Sequence, residues 1–291
     1  MQRAILHIPW GPQSFAKATL APGDRLRISA QPSADFAIIR DKRIGDASVE
    51  LSWDGSLGHV ASDSADGTFL LNGQCQQEGA LDHGEWFRIG DTTLVLSRER
   101  HSPPRRSKAL PSADEQQAAS ARAAIFEQTL QTLRRAKNLY AVLDAARDDR
   151  ILTLLRESPN PTRSLLAGVR GDTLADVAPY LVQLAPDNWL LSALVQEGWG
   201  HAWGIYLDCP LPFEQVRRHF RHFLRVRTEG EKDFLYFRFY DPRVLRIFLP
   251  TCTPAQLREF HGPILRFWGE EAEVSPPALP QLFEFGAPRP A

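Results

Sequence analysis

The sequence predicts a two-domain chain in which an all-β sandwich precedes an α/β (α+β) domain. Three observations carry this expectation. Residues 1–98 hold many short apolar segments separated by Gly, Asp and Asn turns. Residues 99–120 are rich in Pro, Ser and charge, with almost no large apolar side chain. From residue 121 onward, helical and strand-like apolar patterns alternate. The expected organisation is a sandwich over 1–98, a linker over 99–120, a second domain over 121–274 and a proline-rich tail over 275–291. That tail is expected to be extended, with Leu282, Phe283 and Phe285 available to dock.

In the first domain the strand candidates are AILHI, RLRIS, FAII, VELSW, TFLLN, WFRIG and TLVLS. Pro22-Gly23-Asp24, Asp54-Gly55, Asp66-Gly67, Asn72-Gly73 and His83-Gly84 punctuate them, which is the pattern of a β-sandwich or barrel. In the second, Ala121 to Ala136 reads as a helix, LYAVLDA as a strand, and DRILTLLRES as a helix ended by Pro159. PYLVQLA is strand-like, and NWLLSALVQEG is a helix with Gly198 placed for a C-cap. HAWGIYLDC is a strand, and PFEQVRRHFRHFLRV a helix opened by proline. FLYFRFY is an aromatic strand, DPRVLRIFL and TPAQLREFHG are short helices, and PILRFWGE is a last strand. Strands alternating with helices give an α/β or α+β domain.

Bulk composition narrows the function classes. The 291 residues are 43% hydrophobic and 24% charged, close to ordinary globular usage, with room for two cores. A formal net charge of −1 is too balanced for a general nucleic-acid binder. Apolar runs are short and interrupted, so no membrane insertion is expected, and the start MQRAILHIPWGPQ does not read as a secretory signal. Cys75, Cys209 and Cys252 are far apart and odd in number, which fits buried thiols in a reducing cytoplasm.

From about Leu26 to Leu96 the chain resembles a forkhead-associated (FHA) domain. LRISA, DGTFLLNG and LDHGEWFRIGDTTLVL carry the match, the last most specifically. FHA domains bind phosphothreonine, and this requires a guanidinium with hydroxyl or amide donors converging on a dianion. Here the family arginine falls on Ala30, and the serine and histidine of the Ser-x-x-His motif fall on Gly45 and Ser48. The asparagine before the family glycine falls on Asp66, an anion that repels phosphate. Arg40 and Arg43 lie nearby in sequence. The expectation is a degenerate phosphopeptide site, with the sandwich kept as a docking platform. The rival reading is a phosphothreonine-dependent signalling module.

From Leu139 to about Glu271 the chain resembles the effector adaptors, or effector chaperones, of bacterial type VI secretion, long a domain of unknown function. The match rests on LYAVLDAARDDRILTLL (139–155), LADVAPYLVQL (174–184), LVQEGWGHAWGIYL (194–207) and FEQVRRHFRHFLRVR (213–227). The clearest phrase is FLYFRFYDPRVLRIFLPTCTPAQLREFHGPI (234–264). The resemblance implies a cytoplasmic protein that holds a toxic effector and helps load it onto the secretion spike. That spike is the valine-glycine-repeat protein (VgrG) or its PAAR tip. FHA domains fused to this family occur.

Several residues then become candidates for partner contact. Arg217, Arg221 and Arg225 form a stripe at i+4 spacing on another face than the apolar one of Val216, Phe220, Phe223 and Leu224. Such a stripe is a solvated face first, a surface for an acidic effector segment second, and a nucleic-acid contact a distant third on a chain this neutral. Trp199, Trp203, Trp189 and Trp268 supply interface anchors or core. Tyr240 and Asp241 close the FRFYD phrase, and Asp241 before Pro242 is placed to cap a helix. Arg243 opposes the dipole at that helix start, so it needs either an internal salt bridge or a partner carboxylate.

Enzyme readings find little support. His219 and His222 are three apart, but no carboxylate or cysteine completes a ligand set nearby. His201 reads as structural or surface, and Cys252 with His261 lacks an oriented base and an oxyanion site. Asp144 follows an apolar strand, where α/β enzymes place acids and where a helix cap is equally natural. There is no phosphate loop, no Gly-x-Ser-x-Gly and no dinucleotide fingerprint. The expectation is a binding protein that is not an enzyme and needs no metal or cofactor.

Overall fold

The computed structural model describes residues 2–9, 13–63, 68–104, 113–166, 173–226, 235–271 and 280–287, with backbone alone for 113–118. They form two compact units. The first is Met1–Pro103 with Thr153–Pro161 and Ala167–Ala175; the second is Pro104–Leu152, Thr162–Leu166 and Asp176–Ala291.

In the first unit the strands are β1 (Ala4–His7), β2 (Lys17–Leu20), β3 (Arg25–Ser29), β4 (Phe36–Ala37), β5 (Ser48–Trp53) and β6 (Gly58–Ser62). They continue as β7 (Phe69–Leu71), β8 (Gln74–Gln76), β9 (Glu78–Leu81), β10 (Trp86–Ile89) and β11 (Thr92–Arg98). One sheet has the order β2-β1-β11-β10-β7-β8 and the other β4-β3-β5-β6-β9. Leu6, Phe87, Leu94 and Leu96 of the first sheet and Ile28, Val49, Leu51 and Val60 of the second share one apolar cluster. This is the expected sandwich, built by period-two alternation on both sheets. Asn72 and Gly73 both take positive φ, +48° and +91°, which gives the β7–β8 hairpin the twist its strands need. The strands β2, β6, β8 and β9 are additional to the sequence expectation, because their mixed polar composition hides the alternation.

In the second unit α1 spans Ala113–Leu133. It starts inside the stretch expected to be linker, since ADEQQAAS is made of good helix formers despite its polarity. The strands are β12 (Leu139–Asp144), β13 (Thr162–Ser164), β14 (Pro179–Leu184), β15 (Gly204–Asp208), β18 (Arg266–Glu270) and β19 (Leu282–Gly286). They form one sheet ordered β13-β14-β12-β15-β18-β19, antiparallel at every pair, so the unit is α+β. The tail residues Leu282, Phe283 and Phe285 therefore dock as an edge strand. A short ribbon pairs β16 (Arg225–Val226) with β17 (Leu235–Tyr236).

The helices are α2 (Asp149–Arg156), of which residues 153–156 fall in the first unit, α3 (Trp189–Gly198), α4 (Phe213–Phe223), α5 (Pro242–Thr251) and α6 (Pro254–His261). Val216 and Phe220 of α4, Leu245 and Leu249 of α5 and Phe260 of α6 cover the sheet face that carries Tyr140, Val142, Ile205, Leu207 and Phe267. Leu139, Ala141 and Leu143 alternate with Tyr140 and Val142 and are buried too, so β12 is covered on both faces. Gly204 is required by the sheet itself: a Cβ there meets the Val142 carbonyl oxygen at 2.1 Å.

Two local expectations are corrected. Gly198 is the last residue of α3 and not its left-handed cap; the positive φ falls on Gly200. Gly198 is small because a Cβ there meets the Trp203 ring at 2.5 Å. The FLYFRFY strand is only Leu235–Tyr236, with Phe234 outside the described residues. Phe237 and Phe239 leave the ribbon to pack, Phe239 stacking on Phe220 with ring centroids 5.0 Å apart and Phe237 meeting Phe248 edge-on at 4.6 Å. Among the described residues no helix is long and apolar enough to cross a membrane.

Candidate functional site

In the first unit Ser29 pairs with Ser48 across β3 and β5, so Ala30 and Ser48 share one end of that sheet. The Ser48 hydroxyl donates to Asp63 Oδ2 at 2.6 Å and accepts from Arg27 Nε at 3.1 Å. Ser48 is therefore buried and committed to a carboxylate, the opposite of what a phosphate needs. Ala30 is half-buried and packs against the sandwich core. Gly45 is exposed with a φ of +57°, and open space surrounds the position of a Cβ. Arg43 pairs with Asp91 at 3.1 Å, and Arg40 is exposed. Asp66 lies outside the described residues.

A second polar group in this unit escaped sequence reasoning. Lys17 Nζ donates to the carbonyl oxygens of Leu155, Ser158 and Asn160 at 2.6, 2.8 and 3.1 Å. Burial pushes the Lys17 ammonium down to about 7. His7 is fully buried, and among the described residues neither ring nitrogen has a hydrogen-bond partner. Burial, with the Lys17 and Arg156 charges behind it, holds His7 well below its ordinary pKa and so neutral.

The second unit gathers carboxylates at one end of its sheet. Asp144, the last residue of β12, is buried; its Oδ1 accepts the Ala146 N–H at 3.2 Å and caps a short 3₁₀ turn, as the sequence allowed. Its Oδ2 receives Arg238 Nη2 at 2.5 Å. Asp241 caps α5, accepting the Arg243 N–H at 3.0 Å, and also grips the Arg243 guanidinium at 2.9 and 2.7 Å. Burial works to raise the Asp241 pKa, but the side-chain and backbone hydrogen bonds from Arg243 bring it below its usual value. Glu270, at the end of β18, accepts the Ala202 N–H with both oxygens, at 3.1 and 3.2 Å. Burial, helped by the Asp241 charge, raises Glu270 to about 7 against the Gly200 and Ala202 N–H groups and Arg147. Arg147 in turn donates to the His201 carbonyl at 3.3 and 3.1 Å. The node joins the end of β12, the turn at 200–202 and the start of α5.

Most of the expected partner contacts are thereby absorbed into the fold. Trp199, Trp203, Tyr240 and Asp241 are 3%, 4%, 3% and 3% exposed, so none of them presents a surface to a partner. Trp199 donates its indole N–H to the Pro280 carbonyl at 2.7 Å and lies near Tyr206, while Trp203 packs on Gly198. Arg243 takes the internal salt bridge of its two readings. Arg217 is half-buried and donates to the Ser164 carbonyl at 2.9 Å, so it does not belong to a solvated stripe. Arg221 and Arg225 are exposed.

His219 and His222 both lie against the Phe223 ring and meet different residues of α6. The His219 Nε2 meets the Phe260 carbonyl at 2.8 Å, whereas His222 faces Glu259 at 4.0 Å. Among the described residues no set of three or more His, Cys, Asp or Glu is placed to hold a metal ion. The Cys252 thiol donates to the Phe248 carbonyl at 3.4 Å and burial raises its pKa, while His261 Nδ1 meets the Ile264 carbonyl at 3.3 Å.

Residues 139–259, from β12 to α6, match the model of a family described as "Domain of unknown function (DUF4123)". This is the same stretch that carries the adaptor resemblance. No curated protein matches the chain. Among solved structures the chain is similar to the FHA domain of the CT664 protein from Chlamydia trachomatis, at 15% identity and TM-score 0.30, covering 33% of this chain and 96% of that one. It is also similar to a domain solved in a study of phosphothreonine-dependent FHA domain interactions, at 20% identity and TM-score 0.28, over 33% of this chain and 95% of that one. A third is the cytoplasmic domain of the type III secretion sorting-platform protein PscD from P. aeruginosa, at 15% identity and TM-score 0.28, over 38% of this chain and 95% of that one.

Proposed function

We propose that this protein is a cytoplasmic adaptor that holds a type VI secretion effector and helps load it onto the VgrG or PAAR component of the spike. The observation that carries the reading is the family match over 139–259, coinciding with the ordered adaptor phrases. Its mechanism is holding and delivery. The protein performs no catalytic step and needs no cofactor; it shields a segment of the effector and places the cargo near the spike. The antiparallel sheet, covered on both faces along β12, makes a rigid body suited to that task. The sandwich acts as a second docking module that does not read phosphothreonine, because Ser48 is spent on Asp63 and Ala30 offers no charge.

The test uses the full chain, tagged and expressed in its own bacterium. Mass spectrometry of the purified complex is expected to identify an effector together with VgrG or a PAAR protein. Deletion of the gene is expected to abolish secretion of that effector while leaving assembly of the secretion machine intact. If neither component co-purifies and secretion of every effector is unchanged by the deletion, the adaptor reading fails.

A further inference from the structure

We propose that the outer edge of β19 is a docking site for an extended segment of a partner protein, added to the sheet as one more strand. The segment carries apolar side chains at alternate positions and a basic one between them. The inference rests on the adaptor reading for the partner being a cargo protein, and it adds where that cargo sits and how it is recognised.

β19 is the last strand of its sheet and pairs with β18 alone. Two bonds bracket the pair: the Ala287 N–H donates to the Leu265 carbonyl at 2.9 Å and the Glu271 N–H to the Gln281 carbonyl at 2.8 Å. In this register Gln281, Phe283, Phe285 and Ala287 turn their backbone groups toward β18, and Leu282, Glu284 and Gly286 direct N–H and C=O away from the sheet. Among the described residues nothing meets those outward groups.

At five residues β19 is the longest edge strand among the described residues. The sandwich sheets end on β2, β8, β4 and β9, of four, three, two and four residues. β13 has three, and its Ser164 carbonyl already accepts the Arg217 guanidinium. An open edge is ordinarily blunted by proline, lysine or a bulge, because it templates further pairing. β19 has none of these, and its register runs unbroken through all five pairs. The strand is also well anchored. The Phe283 ring lies over Gly269, where a Cβ would come within 2.7 Å of it, and the Glu284 carboxylate accepts the Trp268 indole N–H at 2.8 Å. Its inner side is fixed by its own sheet, which leaves the outer side as a preformed template.

The side chains select the segment. Phe283 and Phe285 are half-buried at the margin of the helix-covered core. Glu284, on the opposite face, is 45% exposed, with Arg266 at 3.9 Å. An antiparallel strand beside β19 sets two of its side chains against the Phe rings and the residue between them against the Glu284 carboxylate. Apolar, basic, apolar is the pattern that suits all three positions. A second copy of β19 suits them less: in the pairing of fullest overlap Glu284 meets Glu284, and like charges directly opposite destabilise.

The test titrates the purified full chain with the fluorescein-labelled peptide Ser-Thr-Val-Lys-Val-Thr-Ser. The peptide is expected to bind, and its counterpart with Glu in place of Lys to bind several-fold more weakly. N-methylation of its Lys and second Thr amides, which face β19, is expected to abolish binding, whereas N-methylation of its two Val amides, which face away, preserves it. On the protein side, Gly286→Pro removes an outward N–H and sets a ring in the path of the incoming strand, with an expected loss of about tenfold or more in affinity. A Cβ at 286 meets open space and β18 does not use this N–H, so the thermal midpoint is expected to hold. Equal effects of the two methylation patterns, or unchanged affinity in Gly286→Pro, would overturn the proposal. So would sedimentation showing a dimer that Gly286→Pro dissolves, because the edge is then filled by a second copy. The two proposals fail separately. Effector capture from cells that survives Gly286→Pro removes this edge and leaves the adaptor, while peptide binding without any effector or spike capture does the reverse.

Discussion

Arg238 Nη2 lies 2.5 Å from Asp144 Oδ2, and this bond ties the aromatic segment after β17 to the buried end of β12. The two side chains are unequal: Asp144 is 1% exposed and Arg238 45% exposed. The loss of one partner therefore depends on which is removed. Arg238→Ala leaves a carboxylate inside the protein with one backbone N–H for company. Breaking a fully buried pair in this way costs roughly 3–5 kcal/mol, and the open Arg238 end reduces that to about 1–2 kcal/mol. Asp144→Ala strands no charge, because the exposed Arg238 turns to solvent, but it removes the cap on Ala146 and costs about 1 kcal/mol. Asp144→Asn keeps the cap and strands no charge. The expected order of urea midpoints is wild type, then Asp144→Asn, then Asp144→Ala and Arg238→Ala together. An Asp144→Ala variant as stable as wild type removes the node from the account of this fold.

Glu270 makes stability depend on pH. Its folded pKa is raised from 4.5 to about 7, so between those values the folded protein holds a proton that the unfolded chain has released. Stability from this group is fully present below pH 4.5 and is lost as pH rises through 7. The groups facing Glu270 are Arg147 and the Gly200 and Ala202 N–H donors, which favour its charge, and Asp241, which opposes it. Tyr206 also lies within its electrostatic reach. Glu270→Gln retains an oxygen for Ala202 and cannot ionise. The variant is expected to flatten the slope of thermal midpoint between pH 5 and 8 and to exceed wild type at the alkaline end by on the order of 1–3 kcal/mol. Identical slopes in the two proteins would refute the assignment.

The contrast between Asp241 and Glu270 shows which parts of the site were legible. Asp241-Pro242 announces a cap and a helix start in adjacent residues, and both are found. Glu270 meets Ala202 across 68 residues of chain, a distance over which no local pattern speaks. The tryptophans fail for a related reason. Trp199 and Trp203 look like interface anchors by type, but exposure is set by what folds over them, and the Pro280 carbonyl that satisfies the Trp199 indole comes from the tail. Arg217 lies on the helix that the sequence predicts but in a half-buried environment, because the apolar period gives the buried side of α4 and not the strand that closes on its flank. Strand–helix alternation predicted the layers of the second unit, while the antiparallel order depends on connections that the pattern leaves open.

The last prediction concerns the sandwich. A phosphothreonine site needs cationic and neutral donors aimed at one point, and here the equivalent positions offer a methyl group at Ala30, a bare backbone at Gly45 and a hydroxyl at Ser48 that already donates to Asp63. Arg27 sits beside Ser48, but it reaches Asp63 at 3.4 Å, so the local charge is balanced before any ligand arrives. Restoring the family arginine alone, as Ala30→Arg, adds a guanidinium next to that pair and leaves the other donors missing. A phosphothreonine peptide array is expected to show no phosphate-dependent binding by the wild type and none by Ala30→Arg. Micromolar binding by the wild type that vanishes on dephosphorylation would reverse the conclusion, since it requires Asp63 to release Ser48 and Arg27 to the phosphate.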